Sequence, residues 1–244
     1  MFATRAVDKA FRVFNEFFAE LRSRIVLAYA SDEFYEIYND LAYDRNEFFR
    51  AATKTSHFDL RPWEKNKISR HFPPPPSTVL VGAAGGGREA LALARKGYRV
   101  VAFEPVPQLA TSLADVCGGL PVESLLGRYE DLPVLSSLSQ PPAPIDLRSR
   151  PLFAAAILGW GSISHLRSDQ CCIETLRQFR QLTHGPILVS WLRGSEKAVF
   201  DVYHGYRRHF TCAEIRKIAE DAGLAVVHYD DDEDCCAVLR AACQ

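Results

Sequence analysis

The chain has 244 residues and a formal net charge of −1, with 48% apolar and 24% charged residues. This length and composition predict a packed α/β domain with a helical extension, and they argue against disorder. A near-neutral chain lacks the basic surface on which sequence-independent nucleic-acid binders depend, so we expect no nucleic-acid partner.

The segment 1–30 mixes charged and apolar residues and shows no secretory pattern. No apolar run approaches the ~20 residues needed to span a bilayer, so we expect a cytoplasmic protein with no membrane partner. The seven cysteines include the adjacent pairs at 171–172 and 235–236 but no matched C-x-x-C spacing. This usage is typical of a reducing compartment, and we expect no bound metal.

Residues 1–72 predict an N-terminal helical cap. Ser31 is placed to cap a second helix, and residues 44–47 resemble a capping box that opens a third. Such helices bury an apolar stripe in the core or, alternatively, close over a small-molecule site as a lid. The residues that recur at helical spacing along the first two helices are Phe11, Phe14, Phe18, Leu21, Ile25, Phe34, Tyr38 and Leu41.

The four prolines at 73–76 predict a stiff connector, and residues 77–244 form the predicted main domain. There, short apolar segments alternate with helical ones, which predicts a doubly wound, mostly parallel sheet. The connection at 230–234 is too short for a crossover helix, so the last two strands should pair antiparallel. We therefore predict an α/β fold whose seven-stranded sheet has an antiparallel terminal strand, with a proline-rich surface loop at 140–150.

A glycine-rich loop at 82–87 lies between the first predicted strand and a helix. Such a loop lets the backbone approach a ligand and points helix N-terminal N–H groups at it. Glu104 ends the second predicted strand, where a carboxylate can accept hydrogen bonds from both hydroxyls of a ribose. The alternative is a surface glutamate without a function, but the position beside the loop favours ligand binding.

The stretches 79–89 and 99–104 resemble the first motif and the ribose-binding strand of class I S-adenosylmethionine-dependent methyltransferases. The resemblance extends from about residue 77 to the C-terminus and implies a Rossmann-like fold with S-adenosyl-L-methionine as the cofactor. Two positions depart from the motif. Ala83 stands at the first of its three glycine places, and Val81 stands where many members have an acid that holds the methionine amino group. The resemblance implies cofactor contacts for Gly82, Ala83, Ala84, Gly85, Gly87, Glu104 and Pro105.

The same resemblance assigns two later loops to the site. Residues 127–133 correspond to the adenine-side loop, and residues 158–166 border the methionine end of the cofactor and the acceptor pocket. In the first loop, the Tyr129 ring is expected to flank the adenine, and Glu130 or Asp131 to accept its exocyclic amine. In the second loop, Gly159 is expected to let the backbone approach the sulfonium, and Trp160 to wall the pocket or to pack in the core.

Methyl transfer to a hydroxyl or thiol requires removal of a proton, and His165 is the candidate catalytic base because its ordinary pKa suits neutral pH. The alternative is a histidine that only supports the structure. The aromatic and basic segment 203–209 predicts either a site for an anionic or phenolic acceptor or a solvated connector. The segment 58–64 either folds over the cofactor mouth or only anchors the cap through Trp63.

The Asn/Asp-Pro-Pro-aromatic signature of amino-group methylases is absent after the fourth predicted strand, where residues 158–161 read Leu-Gly-Trp-Gly. The predicted function is methylation of a small-molecule acceptor at oxygen or nitrogen. A non-catalytic or regulatory S-adenosylmethionine-binding protein is one alternative, because Val81 and Ala83 depart from the motif. An NAD(P)-binding oxidoreductase is another, although the loop fits only the relaxed G-x-G-x-x-A pattern from Gly85. A homodimer is compatible with the sequence.

Overall fold

In the computed structural model, residues 2–45, 59–201, 203–230 and 235–242 are described, apart from the side chains of residues 2–13 and 32. Two 3₁₀ helices, Leu147–Ser149 and Ser162–His165, precede or follow strands of the central sheet. The α-helices are α1 (Phe2–Tyr29), α2 (Asp32–Arg45), α3 (Pro62–His71), α4 (Arg88–Arg95), α5 (Pro107–Val116), α6 (Asp169–Leu182) and α7 (Cys212–Asp221). Among the described residues, no helix combines the length and the apolar composition needed to cross a membrane.

The strands form one large sheet and one small hairpin. Within the described residues, the large sheet has nine strands in the order β10-β11-β7-β6-β1-β2-β3-β4-β5, and β8 pairs with β9 separately. The strands are β1 (Thr78–Gly82), β2 (Arg99–Glu104), β3 (Val122–Leu126), β4 (Val134–Ser137), β5 (Pro144–Asp146), β6 (Ala155–Leu158), β7 (Ile187–Ser190), β8 (Ala198–Asp201), β9 (Gly205–Arg208), β10 (Leu224–Asp230) and β11 (Cys236–Ala241).

The centre of the large sheet is parallel. β1 pairs in parallel with β2 and with β6, and the parallel run continues to β3 on one side and β7 on the other. β11 lies antiparallel between β7 and β10. This arrangement confirms the α/β prediction of a mostly parallel sheet with an antiparallel last strand.

The predicted strand count was wrong. The short strands β4 and β5 add antiparallel pairs beyond β3, so the sheet has nine strands in the described part of the chain rather than seven. β5 lies within the segment 140–150 that was predicted as a loop. Each of these strands has only three or four residues, which is too few for an apolar alternation to stand out from its proline-rich surroundings.

Apolar side chains cover both faces of the sheet in two clusters. Leu80 belongs to one cluster and Val79 and Val81 belong to the other, because successive residues of a strand point to opposite faces. α3 contributes Ile68 to the second cluster, and Phe72, the residue after the helix, also belongs to it. Burying an aliphatic or aromatic side chain of this size stabilises the fold by ~1.5–3 kcal/mol, so α3 is fixed firmly against the sheet.

α1 and α2 pack on the β8–β9 hairpin rather than on the large sheet. Tyr35 of α2 joins Phe200 and Tyr206 of the hairpin in a third apolar cluster, against which Val26 and Leu27 of α1 also pack. The predicted burial of the α1 stripe was wrong, because its described members, Phe14, Phe18, Leu21 and Ile25, are all exposed. The hairpin contacts a different face of α1, and a sequence pattern does not show which face has a partner.

The start of α2 is as predicted. The Ser31 hydroxyl accepts the Phe34 N–H at 3.2 Å, which satisfies one of the N–H groups that a helix start leaves unpaired. Asp44 and Arg45 are the last residues of α2 and not the start of a third helix. The rest of the predicted capping box, at 46–47, lies outside the described residues.

Candidate cofactor and active site

The glycine loop joins β1 to α4, where the strand order of the parallel sheet changes direction, and ligands bind at this position in open α/β sheets. The angle φ is positive at Ala83 (50°), Gly85 (55°) and Gly87 (96°). The left-handed region favours glycine, so the alanine adopts the loop's shape at some cost. The Ala84 N–H donates to the Phe103 carbonyl at 3.0 Å, which ties the loop to β2.

Glu104 ends β2 directly beside this loop. One carboxylate oxygen accepts the Gly85 N–H at 2.8 Å, and the other accepts the Val106 N–H at 3.1 Å. The side chain is buried, with 4% of the residue exposed, and Pro105 beside it is half-buried. Burial raises the pKa of Glu104 to about 7, against the lowering effect of the two backbone hydrogen bonds. The carboxylate is therefore held at the loop, and it does not point to bulk water.

Gly159, which follows β6, lies against the glycine loop. Its N–H donates to the Gly82 carbonyl at 2.8 Å. A Cβ at Gly159 would lie 2.9 Å from the Gly82 carbonyl oxygen and closer still to that of Ala83. The absence of a side chain thus lets the backbone at Gly159 contact the backbone of the glycine loop. This reason for a glycine differs from the predicted one, which was the approach of the backbone to the sulfonium.

Tyr129 lies in the core beneath the loop. Its hydroxyl is 2.6 Å from the Ser162 hydroxyl, and its ring meets Phe103 edge-on with the centroids 5.7 Å apart. Burial raises the pKa of this phenol far above its usual value. A Cβ at Gly82 would lie 2.7 Å from the tyrosine ring, so the ring supports the loop from below. This placement does not favour the predicted position of Tyr129 beside the adenine. Glu130, the next residue of the loop, is exposed.

A buried charge cluster lies at the start of α4. Arg88 donates to both carboxylate oxygens of Glu64, at 2.6 and 2.7 Å, and also to Glu89. The Trp160 N–H is 3.4 Å from the Glu89 carboxylate. Burial raises the pKa of Glu89, and the charge of Arg88 opposes this shift. The Arg61 guanidinium stacks 3.8 Å above the half-exposed Trp160 ring. Residue 58 lies outside the described residues. Within 59–64, Arg61 contacts the loop after β6 and Trp63 packs against the second cluster, so both interpretations of this segment stay open.

His165, in the 3₁₀ helix after β6, has a partner at each ring nitrogen. Nδ1 is 2.8 Å from the Tyr206 carbonyl, and Nε2 is 2.6 Å from the Tyr43 hydroxyl. A carbonyl only accepts, so Nδ1 carries the proton and Nε2 accepts from the tyrosine. Burial lowers the pKa of His165 to about 4, against the raising effect of the Tyr206 carbonyl. The imidazole is therefore neutral at physiological pH.

α2 places the Tyr43 hydroxyl against His165. Burial raises the pKa of Tyr43 far above its usual value, against the lowering effect of the Arg207 charge. Asp40, one turn earlier, forms an ion pair with Arg128 after β3, and Asn39 accepts the Tyr206 N–H at 2.8 Å. α2 therefore touches loops on both sides of the glycine loop, as a lid over the site would.

The arrangement of strands and loop decides the fold, and comparison with solved structures agrees. The 1,6-didemethyltoxoflavin-N1-methyltransferase of Burkholderia thailandensis has a TM-score of 0.60 at 18% identity, and the match covers 88% of this chain and 92% of that one. The CcbJ methyltransferase of Streptomyces caelestis has a TM-score of 0.58 at 18% identity, covering 84% and 98%.

This chain has the Rossmann-like fold of class I S-adenosylmethionine-dependent methyltransferases. The magnesium protoporphyrin IX methyltransferase of Synechocystis PCC 6803 also matches, with a TM-score of 0.55 at 12% identity over 88% of this chain and all of that one. No family model and no curated protein sequence matches the chain.

Sequence reasoning missed two candidate site residues, Tyr43 and Glu89. Tyr43 is 122 positions from His165 along the chain, and no local pattern links the two. Glu89 carried no distinguishing signal, because a carboxylate in the first turn of a helix is common and favourable. The structure shows that this one is buried and paired with Arg88.

Proposed function

We propose that this chain is an S-adenosylmethionine-dependent methyltransferase that methylates a small molecule at oxygen or nitrogen. The hydrogen bond between the Gly85 N–H and the Glu104 carboxylate carries the proposal, because it joins a loop without large side chains to an acid at the neighbouring strand end. The fold supports it, and one similar structure holds a small-molecule acceptor, 1,6-didemethyltoxoflavin, together with S-adenosylhomocysteine.

The residues present fit the cofactor. The space beside Gly85 is open, since a Cβ there would meet no atom of the described residues within 4 Å. The Glu104 carboxylate would accept the ribose hydroxyls. Many members of the family hold the methionine ammonium with an acid at the place of Val81. Here Glu89 would hold it, because a buried carboxylate with a raised pKa is stabilised by a cation. When bound, the cofactor supplies an electrophilic methyl group on its sulfonium.

His165 is the proposed base, and Tyr43 is the proposed relay to it. The neutral Nε2 already accepts the Tyr43 hydroxyl proton in a hydrogen bond. As the acceptor loses its proton, the Tyr43 oxygen takes that proton, while the original phenolic proton moves to Nε2. The Tyr206 carbonyl accepts Nδ1–H throughout and so stabilises the imidazolium that forms.

Transfer of a labelled methyl group from S-adenosylmethionine to a panel of small hydroxyl and amine compounds tests the activity. With an acceptor found, His165→Ala should lower turnover ~10²-fold or more, the usual contribution of a general base. Tyr43→Phe should lower it as well, and both variants should still bind S-adenosylhomocysteine. A wild-type rate in His165→Ala would remove this residue from the mechanism. Binding of the cofactor without turnover of any compound would favour the non-catalytic alternative.

A further inference from the structure

The helix α1 is apolar on two roughly opposite faces. One face packs on the β8–β9 hairpin through Val26 and Leu27, and the Ser23 hydroxyl on that face accepts the Phe200 N–H at 3.1 Å. A helix that is apolar on both faces is normally buried on both. In the described part of the chain, however, the second face of α1 is exposed. Its apolar members are Phe14, Phe17, Phe18, Leu21, Ile25 and Tyr29.

The exposed face is continuous along the helix. The ring centroids of Phe14 and Phe18 are 4.4 Å apart, and those of Phe17 and Phe18 are 5.8 Å apart. From Phe14 through Phe18 and Leu21 to Ile25, the spacing is four, three and four residues. Side chains at this spacing form one stripe, and helices that carry such a stripe pack lengthwise on one another.

The face is large enough for a stable interface. The exposed fraction of its members runs from 42% at Leu21 to 86% at Tyr29. Large apolar side chains bury ~150–250 Å² each when they are covered, so the six residues together expose about 600 Å². Because interfaces between identical subunits are about 65% apolar, this area corresponds to an interface of about 900 Å² on each copy, close to the ~800 Å² of standard complexes.

The charged residues beside the stripe change sign along the helix. Glu16 and Glu20 come first, and Arg22 and Arg24 follow towards the C-terminal end. Arg24 donates to Glu20 at 2.5 Å, but the two side chains are 74% and 53% exposed, so both have room for a further partner. A surface with acids at one end and bases at the other is complementary to an antiparallel copy of itself.

The same charges do not favour a membrane as the partner. Helices that lie on a bilayer surface carry mainly lysine and arginine on their polar face, which attracts anionic lipids. In the stretch 14–29, two acids balance two bases, so this part of the helix has no net charge. The self-complementary order of these charges instead favours a second copy of the chain.

We infer that this face of α1 is the interface of a homodimer, in which α1 of one chain packs antiparallel on α1 of a second copy about a twofold axis near Leu21. In such an interface every contact occurs twice. The arrangement places the Phe14 ring against the small, exposed Ala28 of the partner subunit, and it brings Glu20 beside Arg24 of the partner subunit. The inference does not rest on the proposed methyl transfer, because the face contains no residue of the candidate site.

Sedimentation velocity of the full chain over a range of concentrations tests this inference. Wild type should form a dimer at micromolar concentrations, as interfaces of this size do. Leu21→Glu and Phe18→Glu should each raise the dimer dissociation constant about a hundredfold or more, because each variant buries an unpaired carboxylate twice in one dimer.

Leu152→Glu is the matched control. Leu152 is a similarly exposed leucine, at 52%, and it lies before β6 and outside α1. This variant should dimerise as wild type does. Far-UV circular dichroism should show that the three variants keep the wild-type fold, and Phe18→Glu keeps the test open even if Leu21→Glu fails to fold.

Charge reversal tests the ion pairs between the two chains. Glu20→Arg and Arg24→Glu each place like charges on both copies, so each variant alone should dimerise several-fold more weakly. An equimolar mixture of the two variants should form a heterodimer about as tight as the wild-type dimer, because opposite charges then meet across the interface. The pair within each helix is lost in both variants, so it cannot explain this recovery.

Cysteine crosslinking tests the antiparallel direction. On oxidation, Leu21→Cys should form a disulfide-linked dimer above the wild-type background, because the two copies of this residue lie near the twofold axis. Phe14→Cys should not, because an antiparallel pair separates the two copies of residue 14 by roughly 20 Å along the helix.

Four results would each overturn the inference. They are a wild-type chain that stays monomeric at every concentration, a dimer that neither Leu21→Glu nor Phe18→Glu weakens, equal crosslinking of Phe14→Cys and Leu21→Cys, and a monomeric chain that uses this face to bind vesicles of phosphatidylserine.

Discussion

At the scale of single residues, the candidate site contains two groups whose pKa values burial shifts. Glu104 is an acid with a raised pKa, and His165 is a base with a lowered one. In both cases burial disfavours the charged form, so both side chains tend towards neutrality in the empty site. A ligand that donates hydrogen bonds to Glu104 would favour its ionised form and thereby lower its pKa.

The affinity for S-adenosylhomocysteine should therefore depend on pH. The Glu104 pKa is about 7 without ligand, so protonation below that value competes with ribose binding. We expect the dissociation constant to rise about tenfold as the pH falls from about 8 to about 6, as linkage requires for one proton. Calorimetry across this range checks the slope, and Glu104→Gln should bind more weakly with no such slope. A wild-type affinity that stays constant across this range would contradict the ribose role.

The His165 ring should titrate far below the usual histidine range. Its pKa is about 4, so NMR of the labelled imidazole should show a neutral ring at pH 6. Tyr43→Phe should raise this pKa, because the lost hydrogen bond stabilises the neutral form. A midpoint near 6.5 in the wild type would show that the ring is not held as described. Because the pKa is lower in the folded state than in the unfolded state, protonation of this ring destabilises the fold as the pH drops from about 6.5 towards 4.

At the scale of elements, the glycine loop depends on close contact between backbones. β1, β2 and β6 end side by side. The N–H groups of Gly159, after β6, and Ala84, after β1, donate to carbonyls at the ends of β1 and β2. This explains why a small residue is needed after β6, for a reason that the motif resemblance did not identify. At Ala83 the loop keeps its left-handed bend without a glycine.

Gly159→Ala should distort this junction. The added Cβ would collide with the carbonyls of Gly82 and Ala83, which are backbone atoms and cannot rotate away. We expect a loss of unfolding free energy of ~1–3 kcal/mol, as for overpacking, together with weaker cofactor binding. Urea denaturation and calorimetry measure the two effects.

Gly119→Ala is the control for backbone strain alone. Its φ is +79°, and an added Cβ would meet no described atom within 4 Å. This variant should lose only ~1 kcal/mol from its positive φ and should bind the cofactor normally. Equal behaviour of the two variants would show that the contact between Gly159 and the loop does not matter.

At the scale of the whole molecule, the central sheet was predictable because its strands are apolar and are separated by helices with clear starts and ends. The strand β1, the loop and Glu104 follow from about thirty consecutive residues, and local pattern is informative at that range. The edge strands β4 and β5 were missed, since three or four residues between prolines carry no period. The contact of Tyr43 with His165 was missed for a different reason, because it depends on how α2 packs on the hairpin.

The exposed face of α1 shows the same limit. The spacing of Phe14, Phe18 and Leu21 predicts correctly that the segment is helical. It does not show which face the rest of the chain covers, and the hairpin packs against Val26 and Leu27 instead. Periodicity therefore identifies the helix, whereas the choice of partner is a property of the complete fold.

The most direct test of the proposed cofactor site is calorimetry of the full chain with S-adenosylhomocysteine and, separately, with NAD. We expect the chain to bind S-adenosylhomocysteine and not NAD. Glu104→Ala should weaken this binding by ~1–3 kcal/mol through the loss of charge-assisted hydrogen bonds. Glu123 lies on β3, next to β2, and pairs with Arg150. The Glu123→Ala variant removes this carboxylate and should bind S-adenosylhomocysteine as wild type does. Binding of NAD in place of S-adenosylhomocysteine, or an unchanged dissociation constant in Glu104→Ala, would contradict the assignment.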